Sequence, residues 1–151
     1  MLAIAGTVVL AVCAALGTWL DVVSRRLPNW LCLVTAIAGI GFTLAAGGAI
    51  SAALAAAHSI AGLIVGMVLF RLGMIGGGDA KFYAACAAWF PIKAGLIVLA
   101  AVSLAGLVIV GGWFGYRRLS GPRPNSGDKF GMVPYGAAIA VGAVAARLVL
   151  Q

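Results

Sequence analysis

Six apolar runs, most of them near twenty residues long, leave this chain little choice of fold. A helix that crosses a bilayer needs about 20 predominantly apolar residues, and in hydrocarbon all of its backbone N–H and C=O groups must pair within the structure. Met1 to Leu20 supplies the first run, about Trp30 to Ala46 the second, about Ala52 to Leu72 the third, about Ala94 to Tyr116 the fifth and about Val133 to Leu150 the last. The fourth is the least regular. Phe82 to Pro91 is too short to span alone, and it reaches spanning length only if the helix starts near Ile75 and takes in three glycines and Asp79. Only 9% of the residues are charged, against about 25% in soluble domains, which excludes a soluble fold. The expectation is one all-α, polytopic membrane domain over residues 1–151 with about six transmembrane helices.

Charge and turn residues punctuate the runs. The net charge is +7, from ten Lys/Arg against Asp21, Asp79 and Asp128. In a soluble protein that balance suggests nucleic acid. Here the bases sit at the ends of apolar runs, where lipid head groups and the positive-inside rule place them. Arg25, Arg26, Arg71, Lys81, Arg117, Arg118, Arg123 and Lys129 fall on one side, and only Lys93 and Arg147 on the other. The expected orientation puts both termini outside the cytoplasm. Met1 to Leu20 has no basic segment before it, so it reads as a retained helix and not as a secretory signal. Pro28 stops the first helix, since the residue before a proline is pushed out of the α region. Asn29 is the expected N-cap of the second. Gly47 to Ser51 reads as a turn, and Ser120 to Gly131 as an exposed cytoplasmic loop. Trp19, Trp30, Trp89, Trp113 and Tyr116 are expected at the interfaces. Gly62/Gly66 and Gly111/Gly115 form GxxxG steps that allow close helix approach.

Several chemistries find no support. Cys13, Cys32 and Cys86 lie in apolar runs with no CxxC pair or zinc spacing, so they read as packing residues. His58 has no partner ligands in sequence and reads as a buried hydrogen-bonding residue. No metal site, cofactor motif, P-loop, Ser/His triad or nucleic-acid motif is present.

Two carboxylates remain. An ionisable residue in or at the edge of a membrane span is a functional hypothesis by default. Asp21 ends the first helix at the cytoplasmic edge and Asp79 starts the fourth at the same edge. Two aspartates at one depth can meet as a dyad that shares a proton, one member as general base on water and the other as general acid. The plainer alternative is an Asp21–Arg25 pair at helical spacing, with Asp79 a turn or cap residue after glycines.

The surrounding motifs favour the dyad. Asp21-Val-Val-Ser-Arg25-Arg26-Leu-Pro28-Asn29 closely resembles the first aspartate motif of type IV prepilin peptidases. Gly76-Gly-Gly78-Asp79-Ala-Lys81 resembles the second, the GxGDxK motif of GxGD-type membrane aspartyl peptidases. Val133-Pro134-Tyr135-Gly136 is similar to the PYG segment that opens the last helix of short CpaA/TadV-like members. The resemblance covers almost the whole chain in motif order, helix pattern and length. It implies Asp21 and Asp79 as the catalytic pair. Gly76, Gly78, Lys81, Arg25, Arg26, Asn29, Pro134 and Tyr135 are then substrate-binding or dyad-supporting. It also implies a prepilin or pseudopilin substrate, of the Flp type used in tight-adherence pili, whose short basic leader is removed at the cytoplasmic face of the bacterial inner membrane. Lipid is then the surrounding partner, and no cofactor or metal is expected. Longer members also N-methylate the new amino terminus through a domain with paired cysteines; this chain has no room for that domain and no CxxC, which speaks against a bifunctional enzyme. The rival readings are a small proton-coupled transporter and a non-catalytic subunit of a secretion machine. Transporters place paired carboxylates near the midplane, often between inverted repeats; here both lie at one edge and no repeat is evident.

Overall fold

The structure is a computed structural model that describes residues 1–24, 27–119 and 135–150. Arg25, Arg26, Asp128 and Pro134 lie outside the described residues. The described chain is helical throughout: α1 (Leu2–Ser24), α2 (Asn29–Arg71), α3 (Gly77–Ala87), a short 3₁₀ turn (Ile92–Ala94), α4 (Gly95–Leu119) and α5 (Tyr135–Val149). Among the described residues three segments are long and apolar enough to cross a membrane: Leu2–Ser24, Asn29–Arg71 and Ile92–Tyr116. Between 11% and 28% of each apolar window is buried within the protein, so most of each window faces outward, as lipid contact requires. Several of their hydroxyls are satisfied locally: Thr18 Oγ1 donates to the Ala14 carbonyl at 2.9 Å and Ser24 Oγ to the Leu20 carbonyl at 2.6 Å, the backbone-directed pattern that Ser and Thr adopt within helices.

At 43 residues, α2 would be about 65 Å long if straight, twice the roughly 30 Å of a bilayer core. It is not straight. Gly48 adopts φ 72°, ψ −171°, a conformation open to glycine and strained for other residues. The helix reverses there, as its contacts with α3 show. Along the first half, Asn29 meets Lys81 and Thr35 meets Trp89, so this half runs parallel to α3. Along the second half, His58 meets Phe90, Ser59 meets Ala84 and Gly66 meets Ala80, so this half runs antiparallel. The expected turn over residues 47–51 therefore contracts to one residue, with Ser51 Oγ donating to the Gly47 carbonyl across the break at 2.9 Å.

The fourth segment differs most from expectation. α3 starts at Gly77, two residues after Ile75, and has 11 residues, about 16 Å of helix. Protein, not lipid, surrounds it. Ala80, Phe82 and every residue from Ala84 to Phe90 are buried, because the two halves of α2, α5 and α1 pack around it. Small residues on the neighbours make this possible: a Cβ on Gly17 would strike the Phe82 ring, and one on Gly39 would strike Trp89. The Gly62/Gly66 step takes Tyr83 and Ala80, whereas Gly111 and Gly115 face open space. Trp89, expected at an interface, is fully buried. Its indole N–H donates to the Thr35 carbonyl at 3.0 Å and its ring stacks on Phe42 with centroids 5.4 Å apart, since α3 ends inside the protein and carries its last turn with it. Trp19 and Trp30, by contrast, are exposed. His58 is buried, with Nδ1 3.1 Å from the Phe90 carbonyl, and the three cysteines are buried and free.

Candidate active site

Asp79 is positioned by helix capping. Gly76 is the extended N-cap of α3, at φ −73°, ψ 144°, so Asp79 is the third helical residue. From that position a carboxylate reaches back to the N-cap amide, as in a capping box, and Asp79 accepts a hydrogen bond from the Gly76 N–H. A negative charge in the first turn also suits the helix dipole. The glycines clear space around it. A Cβ on Gly76 would lie 2.7 Å from Asp79 Oδ2, and one on Gly78 would lie 3.5 Å from Leu27 Cβ.

Asp21 is positioned by two helix ends. It sits in the last turn of α1, where the dipole disfavours negative charge. The N-terminus of α5 meets it there: the Gly136 amide donates to Asp21 Oδ2 at 3.0 Å. A Cβ on Gly136 would lie 2.8 Å from that oxygen and 3.0 Å from Cγ, so the contact requires glycine.

The two carboxylates line one polar cavity of about 420 Å³, together with Leu27, Asn29, Lys81 and Gly76 to Gly78. Asp79 titrates at about 6, above the ordinary 3.8, first because it is buried and second because Asp21 is close; the Gly76 hydrogen bond offsets part of the rise. These are the conditions under which one carboxyl of a pair holds its proton to a higher pH than an ordinary aspartate.

The other expected residues divide. Asn29 is not the N-cap; Pro28 is. The proline ring presets the extended backbone that precedes the helix, and Asn29 turns to the site, where its Oδ1 accepts from Lys81 Nζ at 3.1 Å. Lys81 thus engages Asn29 and not a carboxylate. Tyr135 opens α5 and is exposed; it lines an adjacent apolar cavity that shares Asp79. Three site residues were not picked out from the sequence, Gly77 among them, between the two glycines that were. Gly136 stood in the PYG segment without a role, and Leu27 had only its place before Pro28. Its place in the PYG segment at the start of the last helix was the one available signal for Gly136; nothing in sequence pointed to Leu27.

The model of the type IV leader peptidase family matches residues 8–111, a range that holds both aspartate motifs. No curated protein and no solved structure matches the chain. The match spans more than half of the sequence and includes the segments that form the cavity, so the chain belongs to the type IV leader peptidase family.

Proposed function

We propose that the protein is an aspartyl endopeptidase that removes the short basic leader of type IV prepilins or pseudopilins, of the Flp type in tight-adherence pili, at the cytoplasmic edge of the inner membrane. The observation that carries this reading is the shared cavity of Asp21 and Asp79, in which Asp79 titrates at about 6. Membership of the family supports a leader peptidase with a prepilin substrate. The reversal of α2 at Gly48 and the packing of α1 against α5 bring Asp21, Asp79 and the start of α5 to one end of the bundle.

In this mechanism Asp79 holds the shared proton and Asp21 carries the charge. Water lies between them. Asp21 takes a proton from the water as its oxygen attacks the scissile carbonyl carbon, and Asp79 gives its proton to the carbonyl oxygen. The tetrahedral diol forms with atoms and charge conserved. Asp21 then passes its proton to the amide nitrogen, Asp79 recovers one from a diol hydroxyl, and the C–N bond breaks to give acid and amine. A helical peptide bond has its carbonyl engaged internally, so the junction must be extended when cut. The glycine-rich approach to Asp79 leaves room for such a backbone.

The test is co-expression with a prepilin, following leader removal together with membrane insertion. Wild-type protein should remove the leader, and Asp21→Asn and Asp79→Asn variants that insert normally should leave it in place. Cleavage by either inserted variant would sink the mechanism.

A further inference from the structure

Asp79 belongs to two cavities. Besides the polar one it shares with Asp21, it lines an apolar groove of about 770 Å³. The walls are the second half of α2 and the length of α4, helices that pack chiefly on α3 and α5 respectively and meet each other where His58 lies against Gly95. Ala61, Val65 and Leu69 form one wall, and Leu99, Ser103 and Leu107 the other. Each set recurs every four residues, so each occupies one helix face. Val65, Leu99 and Leu107 are 58%, 50% and 71% exposed, so the apolar walls lack a protein partner. The groove runs from His58 and Leu96 at one end to Asp79 and Tyr135 at the other. Leu96 to Val110 covers about 21 Å of helix, most of a bilayer core.

We infer that this groove receives the apolar helix of the substrate protein, entering sideways from the lipid with its polar end against Asp79. The inference rests on the peptidase reading and names where that substrate lies. Three observations favour a helix over an acyl chain. Asp79 lines both the groove and the catalytic cavity, so the end of a chain seated in the groove lies next to the dyad. The groove's one carboxylate lies at the dyad end, which Tyr135 also lines; between the ends the polar groups are uncharged, Ser103 and Tyr83, and His58 at the far end is already hydrogen-bonded to Phe90. With its carboxylate at one end, the groove matches a segment that is apolar for several turns and then opens into a polar junction. Finally, the walls carry side-chain rows at i, i+4 spacing, the ridges into which another helix packs. A lipid tail offers nothing for Asp79 to engage.

The test uses a photo-crosslinking residue at Leu99 or Leu107, with Val8 and Ile37 as exposed controls outside the groove, and co-expressed full-length prepilin as the probe. Crosslinks to the prepilin's apolar helix are expected from the groove positions and not from the controls. In parallel, Val65→Trp and Ser103→Trp narrow the groove from opposite walls. Each should raise KM for the full prepilin by about tenfold or more, the factor equivalent to 1.4 kcal/mol of docking. Neither should change cleavage of a peptide that contains the leader and junction but lacks the helix. If wild type cleaves while the groove positions crosslink only lipid, or while both tryptophan variants keep the wild-type KM, the groove assignment is overturned and the peptidase reading stands. Crosslinking from the groove with no cleavage by wild type supports the groove and overturns the peptidase reading.

Discussion

Gly136→Ala is the most informative single change. The new Cβ would sit 2.8 Å from Asp21 Oδ2 and 3.0 Å from its Cγ, where ordinary contact begins at 3.4 Å. The carboxylate must therefore retreat by about 0.6 Å, and the 3.0 Å hydrogen bond from the Gly136 amide would stretch to about 3.6 Å, beyond hydrogen-bonding range. A hydrogen bond to a charged group is worth about 1.5–3 kcal/mol, which corresponds to roughly 10- to 100-fold in rate. A misplacement approaching 1 Å at a reacting group has an effect of the same order. The assay is the rate of leader removal from a prepilin by purified protein in lipid nanodiscs. Gly111→Ala serves as the control, since nothing lies within 4 Å of that position. The expected result is a loss of about 10- to 100-fold in kcat for Gly136→Ala and none for Gly111→Ala, with both variants inserting normally. A Gly136→Ala protein that cleaves at the wild-type rate would refute the claim that the start of α5 holds Asp21 in place.

Three further outcomes are expected. Asp21→Asn removes the like charge that helps raise Asp79, so the Asp79 midpoint should fall below about 6, read from the infrared carboxyl stretch across a pH titration; an unmoved midpoint would show that the two groups are not coupled. The second concerns stability. Folded Asp79 holds its proton up to about 6, against an ordinary 3.8, so the folded state binds the proton more tightly than the unfolded state and wild-type stability declines as pH rises through that window. Asp79→Asn lacks the decline; it should melt above wild type at about pH 8 and match it below about pH 4, and a constant difference across pH would contradict the shift. Lastly, Gly76→Ala should slow cleavage more than Gly78→Ala, because its Cβ would lie 2.7 Å from Asp79 Oδ2 whereas that of Gly78 would meet Leu27 at 3.5 Å. The reverse order would mean that backbone access at Gly78, and not placement of the carboxylate, is what the motif supplies.

The sequence made legible whatever depends on lipid or on local chain rules, and it hid whatever depends on protein surrounding protein. Long apolar runs identify α1, α2 and α4 because lipid imposes the same demand on every residue of a span. α3 escapes that logic. Its 11 residues are covered by other helices, so neither its length nor its hydropathy had to match a bilayer, and hydropathy placed Trp89 at an interface when packing had buried it. Asp21 and Asp79 stood out as candidates through motif resemblance; the cavity they share did not, because a cavity is a property of how α1 and α3 meet. Gly136 shows the limit most clearly. Its sequence neighbours lie about 115 residues from Asp21, and its requirement for glycine arises only where the C-terminus of α1 abuts the N-terminus of α5. The same juxtaposition gives the two aspartates unequal surroundings: Asp21 accepts an amide from another helix, while Asp79 accepts one from its own cap and is buried against Asp21. That inequality is what the proposed mechanism uses to divide acid and base between two chemically identical side chains.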